Sequence, residues 1–200
     1  MSSDSSRNRD NTSGPELIQR LPSPERNVTV DPLRVLSFTE ISYRHHVADI
    51  GCGPGFFTLP LAKTLYSGKV YALDVNEAIL EVCRERVAQA RLGNVEVLRC
   101  GEYDFPVEPA SLDGVFLSFV LSQSADQLRL LQAARKLLKP TGWCSILEWH
   151  HKETDGGPPL EQRKDPDEMA ALAREAGFRT RERRELNPDQ YMISLRNLAG

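Results

Sequence analysis

A short apolar run, His46-Val47-Ala48-Asp49-Ile50, leads straight into Gly51-Cys52-Gly53-Pro54-Gly55, and this junction constrains the fold more than any other part of the 200-residue chain. The five residues before the glycines read as a short buried strand. Glycine at alternate positions then allows a tight turn and a close approach of backbone to a ligand, because no Cβ stands in the way. A helical stretch runs from Phe56 to Leu65, and Ser67-Gly68 breaks it. A second strand, Lys69 to Val75, carries an acid, Asp74, at its carboxyl end.

The alternation of strand and helix continues in both directions. Upstream, Asp31-Pro32 has the form of an N-cap followed by proline at the first helical position, predicting a helix over 33–40 with Leu33, Val35 and Leu36 turned inward. Downstream, Asn76 caps a helix in which Ile79, Val82, Cys83, Val87 and Ala90 recur at helical spacing, and Gly93 is its expected C-terminal stop. Strands are predicted over Asn94 to Arg99 and within Leu112 to Leu121. Ser124-x-x-Gln127 reads as a capping box for a helix reaching to about Lys139. Pro140-Thr141-Gly142 then turns into a fifth strand, Trp143 to Trp149. After a loop over 150–164, Asp165-Pro166-Asp167-Glu168 opens a helix that ends at Gly177. Arg179 to Leu186 and Gln190 to Arg196, joined by Asn187-Pro188-Asp189, form a hairpin. Together these elements specify an α/β fold, a doubly wound, Rossmann-like, mostly parallel sheet with a C-terminal antiparallel hairpin. Residues 1–24 are polar and read as a disordered leader, and residues 25–200 as a single domain.

Composition narrows the function classes. Hydrophobic content of 40% and charged content of 26% are those of a soluble globular protein. A net charge of -3 argues against a nucleic-acid partner, and Glu182 and Glu185 interrupt the one basic run, Arg179 to Arg184. Cys52, Cys83, Cys100 and Cys144 are scattered without zinc spacing, so neither a structural metal nor a disulfide framework is expected, and a reducing compartment fits. No apolar run is long enough to cross a bilayer, and MSSDSSRNRDNTSG lacks the apolar stretch of a signal peptide. A cytoplasmic protein without a membrane partner is the expectation; its oligomeric state is not legible.

Ligands of doubly wound sheets sit at the carboxyl ends of the strands, near the point where strand order reverses. The glycine turn lies there, and the helix after it is expected to offer N–H groups to an anion. Asp74, nineteen residues after Gly55, is placed to accept hydrogen bonds from the two hydroxyls of a ribose. The pair predicts an adenosine-containing ligand. A dinucleotide fingerprint would place glycine at position 56; Phe56 stands there instead, which opposes a nicotinamide oxidoreductase.

The order Asp49-x-Gly51-x-Gly53-x-Gly55 resembles the first motif of class I S-adenosylmethionine-dependent methyltransferases. Tyr71-Ala72-Leu73-Asp74 is similar to their second motif. Cys100-Gly101-Glu102-Tyr103 stands where that family has an acid for the adenine amino group. Ser111-Leu112-Asp113, Lys139-Pro140-Thr141-Gly142 and Ala176-Gly177-Phe178 resemble later motifs, so the likeness covers roughly 25–196. It is nearest to the ubiquinone and menaquinone methyltransferases. The resemblance implies S-adenosylmethionine as cofactor, held by Asp49, Gly51, Gly53, Gly55, Asp74, Val75, Glu102, Tyr103 and Ser118, and a small-molecule methyl acceptor. Glu102 replaces the usual aspartate, Thr141 a common glycine, and Ser122-Gln123 a histidine pair frequent among relatives. A base, where one is needed, is expected past the fifth strand at Glu148, His150 or His151, whereas His45 and His46 fall at the opposite edge and read as structural. Arg26 and Arg163 are candidates for an anionic group, and residues 1–40 for a lid over the cofactor. A non-catalytic cofactor-sensing protein and an RNA or protein methyltransferase are the competing readings.

Overall fold

A computed structural model of the protein describes residues 30–198. The polar leader, Arg26 and most of the segment considered as a lid lie outside the described residues. The elements are α1 (Pro32–Leu36), β1 (His46–Ile50), α2 (Thr58–Thr64), β2 (Lys69–Asp74), α3 (Glu77–Gln89), β3 (Val95–Arg99), β4 (Leu112–Ser118), α4 (Gln127–Leu137), β5 (Leu138–Trp149), α5 (Pro166–Glu175), β6 (Phe178–Asn187) and β7 (Gln190–Asn197), with single 3₁₀ turns at Leu121–Gln123 and Leu160–Gln162.

The seven strands form one sheet in the order β3-β2-β1-β4-β5-β7-β6. β1 pairs in parallel with both β2 and β4, and β5 in parallel with β4. β7 runs antiparallel between β5 and β6, so the predicted hairpin closes the sheet. Val47 to Ile50 are all buried, as the central position of β1 demands. Side chains of α4 and α5 pack on one face, with Leu130, Leu131, Ala134, Met169 and Ala173 over Val115, Leu117, Ile146 and Ile193. On the other face α1 and α2 place Val35, Leu36, Leu61 and Ala62 against Val47, Phe116 and Leu147. α3 adds Leu80, Cys83 and Val87 against Ala72. Helices thus cover both faces, which is what a doubly wound parallel sheet requires. His45 is structural at the amino edge, its Nδ1 accepting from Ser42 N–H and Trp143 Nε1–H.

Local chemistry moves several predicted boundaries. α1 ends at Leu36 rather than Glu40, because the Ser37 and Thr39 hydroxyls donate back to the Arg34 and Leu36 carbonyls. Leu33 is 66% exposed, so only Val35 and Leu36 of that helix reach the core. α4 is capped by Asp126, whose side chain accepts from Arg129 N–H, rather than by Ser124. Ser124 Oγ donates instead to Glu102. α5 carries the predicted proline and a complete capping box between Asp165 and Glu168.

The end of α3 differs most. Arg91, not Gly93, holds the left-handed position at φ 53°. Its N–H donates to Ala88 O and the Leu92 N–H to Val87 O, a complete Schellman pairing. An L side chain in this region costs about 1–2 kcal/mol relative to glycine, less what glycine loses in unfolded-chain entropy. Arg91→Gly is therefore expected to stabilise the protein by about 1 kcal/mol and to raise its melting temperature by about 2–4 °C. Thermal denaturation followed by circular dichroism checks this; an unchanged or lowered midpoint would show that the Arg91 side chain contributes more than its backbone costs.

Candidate functional site

The carboxyl ends of four parallel strands open onto one cavity of about 810 Å³. Its walls are Gly51 to Pro54 after β1, Asp74 to Asn76 at β2, Arg99 to Glu102 after β3, and Ser118 to Val120 at β4, with Phe56, Phe57, Ile79, Phe105 and the 123–125 segment completing it. β1 and β4 are neighbours at the reversal of strand order, the position where the topology leaves a crevice. The volume lies within the range of small-molecule and cofactor sites.

The glycine turn contributes shape rather than donors. Gly51, Gly53 and Gly55 all have positive φ, at 70°, 53° and 87°. A Cβ on Gly51 would stand 2.7 Å from Val120 Cγ2, so glycine lets the β4 loop cross directly over the turn. The N–H groups of the turn itself are occupied within the protein. Those of Gly51 and Cys52 both donate to Leu73 O, that of Gly55 to Cys52 O, and that of Gly53 to Asp74 Oδ2.

The acids are set in different surroundings. Asp49 is buried at 1% exposure and accepts the Thr58 hydroxyl at 2.6 Å. Asp74 accepts Gly53 N–H on Oδ2 and Asn76 N–H on Oδ1, each at 3.0 Å, and a carboxylate oxygen has a second lone pair beyond each. Glu102 Oε1 accepts from Tyr103 OH at 2.6 Å, from Ala125 N–H at 3.0 Å and from Ser124 Oγ at 2.9 Å. These bonds, the tyrosine's first, hold its carboxyl below the usual range. Tyr103 also accepts Asp126 N–H, and Arg129 lies over its ring. Tyr103 and Gly55 do not line the cavity; Asp49, Gly51, Gly53, Asp74, Val75, Glu102 and Ser118 do. Val75 is an exposed apolar side chain on that wall, and Ser118 Oγ is buried without a hydrogen-bond partner.

The β4 side of the cavity is aromatic. Phe119 has a left-handed backbone, φ 57°, an uncommon state for a bulky residue that surrounding bonds must hold. Its N–H donates to Leu147 O and its carbonyl accepts Gln123 Nε2 at 2.6 Å. Its ring packs at 6.0 Å from that of Trp149, and Phe56 and Phe57 meet edge to face nearby. Phe119 and Gln123 were not singled out from the sequence as ligands. No turn residue announces a left-handed position at Phe119, and Gln123 was noted only for the histidine it replaces.

Glu148 and His150, expected at the mouth of the site, do not line the cavity. His150 Nε2 lies 2.5 Å from Glu185 Oε2, with its ring against Tyr191. His151 is exposed near Glu168. Arg163 is buried, and its guanidinium donates to the carbonyls of Lys152, Gly156 and Pro158 and to the Thr154 hydroxyl, while stacking on Trp149. Its donors are thus committed to shaping the 152–158 loop. No group of three or more potential metal ligands, and no helix long and apolar enough to cross a membrane, is found among the described residues.

With this geometry the comparisons agree. The family model of a methyltransferase domain matches residues 47–142. A crystal structure of a SAM dependent methyltransferase from Aquifex aeolicus superposes with a TM-score of 0.87 at 30% identity, covering 92% of this chain and 98% of that one. Demethylmenaquinone methyltransferases from Lactococcus lactis and Symbiobacterium thermophilum are 31% and 34% identical over 106 and 105 residues, in each case 52% of this chain. The match spans only 42% of the length of each of these curated relatives. The chain belongs to the S-adenosylmethionine-dependent methyltransferases.

Glu148 is fully buried under the 121–123 turn, where Oε1 accepts Ser122 N–H and Oε2 has no partner. Burial pushes its carboxyl up to about 7. The folded protein therefore holds a proton that the unfolded chain releases near 4.5, so this group's stabilising contribution is complete below about pH 4.5 and is lost as pH rises to about 7. Relative to wild type, Glu148→Gln should gain about 3 kcal/mol between pH 4.5 and pH 8. Urea titrations at the two pH values measure this, and a constant difference would show that folding leaves the Glu148 carboxyl at its ordinary value.

Proposed function

We propose that the chain transfers the methyl group of S-adenosylmethionine to a small-molecule acceptor that approaches from the β4 side of the cavity. The observation that carries this reading is the convergence of the glycine turn, Asp74 and Glu102 on one cavity at the strand ends. The donor set fits the cofactor. The remaining lone pairs of Asp74 suit the ribose hydroxyls, and Glu102 suits the adenine amino group with Val75 and Ile79 against the ring. Asp49 supplies negative charge for the ammonium of the methionine end, and Ser118 is a further polar residue of the cavity wall. Gly51, Gly53 and Gly55 shape the turn, and Tyr103 acts as a positioning residue through Glu102.

When bound, the cofactor supplies a methyl group already activated by its sulfonium charge. The chain's own task is alignment and exclusion of water, for which orientation alone contributes heavily. Phe56, Phe57 and Phe119, backed by Trp149, give the β4 side a wall suited to a flat or apolar acceptor. Ser118 and Gln123 are polar side chains on that side. With Glu148 and His150 outside the cavity, the reading assigns them no proton transfer, and the acceptor reacts in its ionised or intrinsically nucleophilic form. Demethylmenaquinone, the compound in the relatives' names, is the first acceptor to try.

Asp74→Asn removes the charge from the ribose site and leaves one of the Gly53 and Asn76 N–H groups without its acceptor. S-adenosylhomocysteine should bind this variant about 10- to 100-fold more weakly than wild type by calorimetry, the loss expected for hydrogen bonds to a charged group. Equal affinity would remove Asp74 from the site. Transfer of labelled methyl from S-adenosylmethionine to reduced demethylmenaquinone or another small quinol supports the acceptor class. Label found only in added RNA or protein, or cofactor binding without transfer to any acceptor, would favour the competing readings.

A further inference from the structure

Two thiols meet beneath the glycine turn. Cys52 sits between Gly51 and Gly53, lines the cavity and is 6% exposed. Cys83 is fully buried on the face of α3 that packs against the turn, in one small cluster with Cys52, Ala72, Leu80 and Val87. Two further contacts fix this docking. Cys83 Sγ lies 3.0 Å from where a Cβ on Gly55 would stand, and Arg86, one turn along α3, donates to Pro54 O at 2.9 Å. Gly55 N–H closes the turn onto Cys52 O at 3.1 Å, which brings residue 52 to the same spot. The Cys52 thiol donates to Gly53 O at 3.5 Å. Among the described cysteines this arrangement is confined to this pair: Cys100 lies on the far side of β2 and Cys144 is buried in β5.

We propose that Cys52 and Cys83 form a reversible disulfide that locks the turn in a shape unable to take the cofactor, and that bound cofactor shields the pair. The inference rests on the reading that the cavity binds S-adenosylmethionine. Peroxide entering the empty cavity meets Cys52 first, because Cys83 has no exposed surface. The Cys52 thiolate attacks one peroxide oxygen, the O–O bond breaks, and hydroxide leaves and takes up a proton as water, giving Cys52 sulfenic acid. The Cys83 sulfur then attacks Cys52 Sγ; the S–O bond breaks, the S–S bond forms and a second water leaves. Two thiols are oxidised by one peroxide, which is reduced to two waters.

A disulfide brings the sulfurs to about 2.05 Å, closer than any non-bonded thiol pair, so it must draw the turn and α3 together. Gly51, Cys52 and Gly53 are bonded to Leu73 and Asp74 on β2, so a shift of the turn disturbs the Asp74 end of the cavity. The neighbouring Cys83 sulfur, and then burial, push the Cys52 thiol far up, while the Cys52 thiol beside it brings Cys83 down. Oxidation is consequently slow at neutral pH and faster in alkali, with Cys83 ready as the resolving group.

The test uses the full chain treated with hydrogen peroxide, with and without saturating S-adenosylhomocysteine, followed by non-reducing peptide mass spectrometry. A cross-linked peptide pair joining Cys52 and Cys83, two hydrogens lighter than the thiol forms, is expected in the free protein and suppressed by S-adenosylhomocysteine. The oxidised protein should bind S-adenosylhomocysteine at least tenfold more weakly, with full recovery in dithiothreitol. Cys83→Ala should bind it as the reduced wild type does before peroxide, and should give no cross-linked peptide after it. Sulfinic or sulfonic acid at Cys52 without the cross-link, reaction confined to Cys100, or a cross-linked protein with unchanged affinity would each overturn the proposal. Failure of the reduced wild type to bind S-adenosylhomocysteine would instead contradict the cofactor reading, and the mass spectrum would still report on the pair.

Discussion

The Asp74 carboxylate is shared between two loops, accepting Gly53 N–H on one oxygen and Asn76 N–H on the other. Much of the cavity depends on that arrangement. Together with the bonds from Gly51 and Cys52 to Leu73 O, it ties the turn after β1 to the end of β2. Asn76 in turn caps α3, accepting from Ala78 and Ile79 N–H, so the same carboxylate fixes where that helix starts. The backbone N–H groups of a glycine-rich turn are often regarded as ligands for an anion. Here they are consumed in building the cavity, and the charge left facing it is negative. Such a site selects for hydroxyls, amines and cationic groups, which are the polar features of an aminoacyl sulfonium nucleoside rather than of a pyrophosphate.

Glu102 plays the matching part on the other wall. One oxygen gathers Tyr103, Ser124 and Ala125, and so joins the loop after β3 to the start of α4. Its replacement of the more usual aspartate therefore has a structural counterpart, because the longer side chain bridges to a second loop while remaining on the cavity wall. The aromatic side is built differently. Phe119 is held in a left-handed conformation by Gln123 and Leu147, and Trp149 behind it is covered by a loop wound around the buried Arg163. On the proposed reading, a cofactor half built on strand ends and an acceptor half built on loops are the division expected where one chemistry serves many acceptors.

Most strands and the residues of the cavity floor were legible because local signals agreed. The boundaries of β1 were read to the residue from its apolar run and the glycines after it, and Asp74 from its place at the end of β2. Signals failed where a side chain had two possible partners. Ser124 has the sequence context of a helix cap, but Glu102, 22 residues away in sequence, competes for its hydroxyl, and Asp126 caps the helix instead. Gly93 looked like the stop of α3, but the chain turned two residues earlier at Arg91, against conformational preference. Glu148 lies in the last part of β5 and His150 just past its end, but sequence does not reveal which way their side chains turn. They pair with Ser122 and Glu185 rather than facing the cavity. The role of Phe119 depends on a strained backbone that no sequence pattern encodes.

The central claim is that the glycine turn, Asp74 and Glu102 form one adenosine-binding wall and Phe119 borders the reacting end. A crystal structure of the protein with S-adenosylhomocysteine tests it most directly. The account predicts ribose hydroxyls on Asp74, the adenine amino group on Glu102 with its ring against Val75, and the sulfur directed toward the Phe119 side. A ligand bound elsewhere, or one lying in the cavity with its adenine on the Phe119 side and its sulfur toward Glu102, would contradict it.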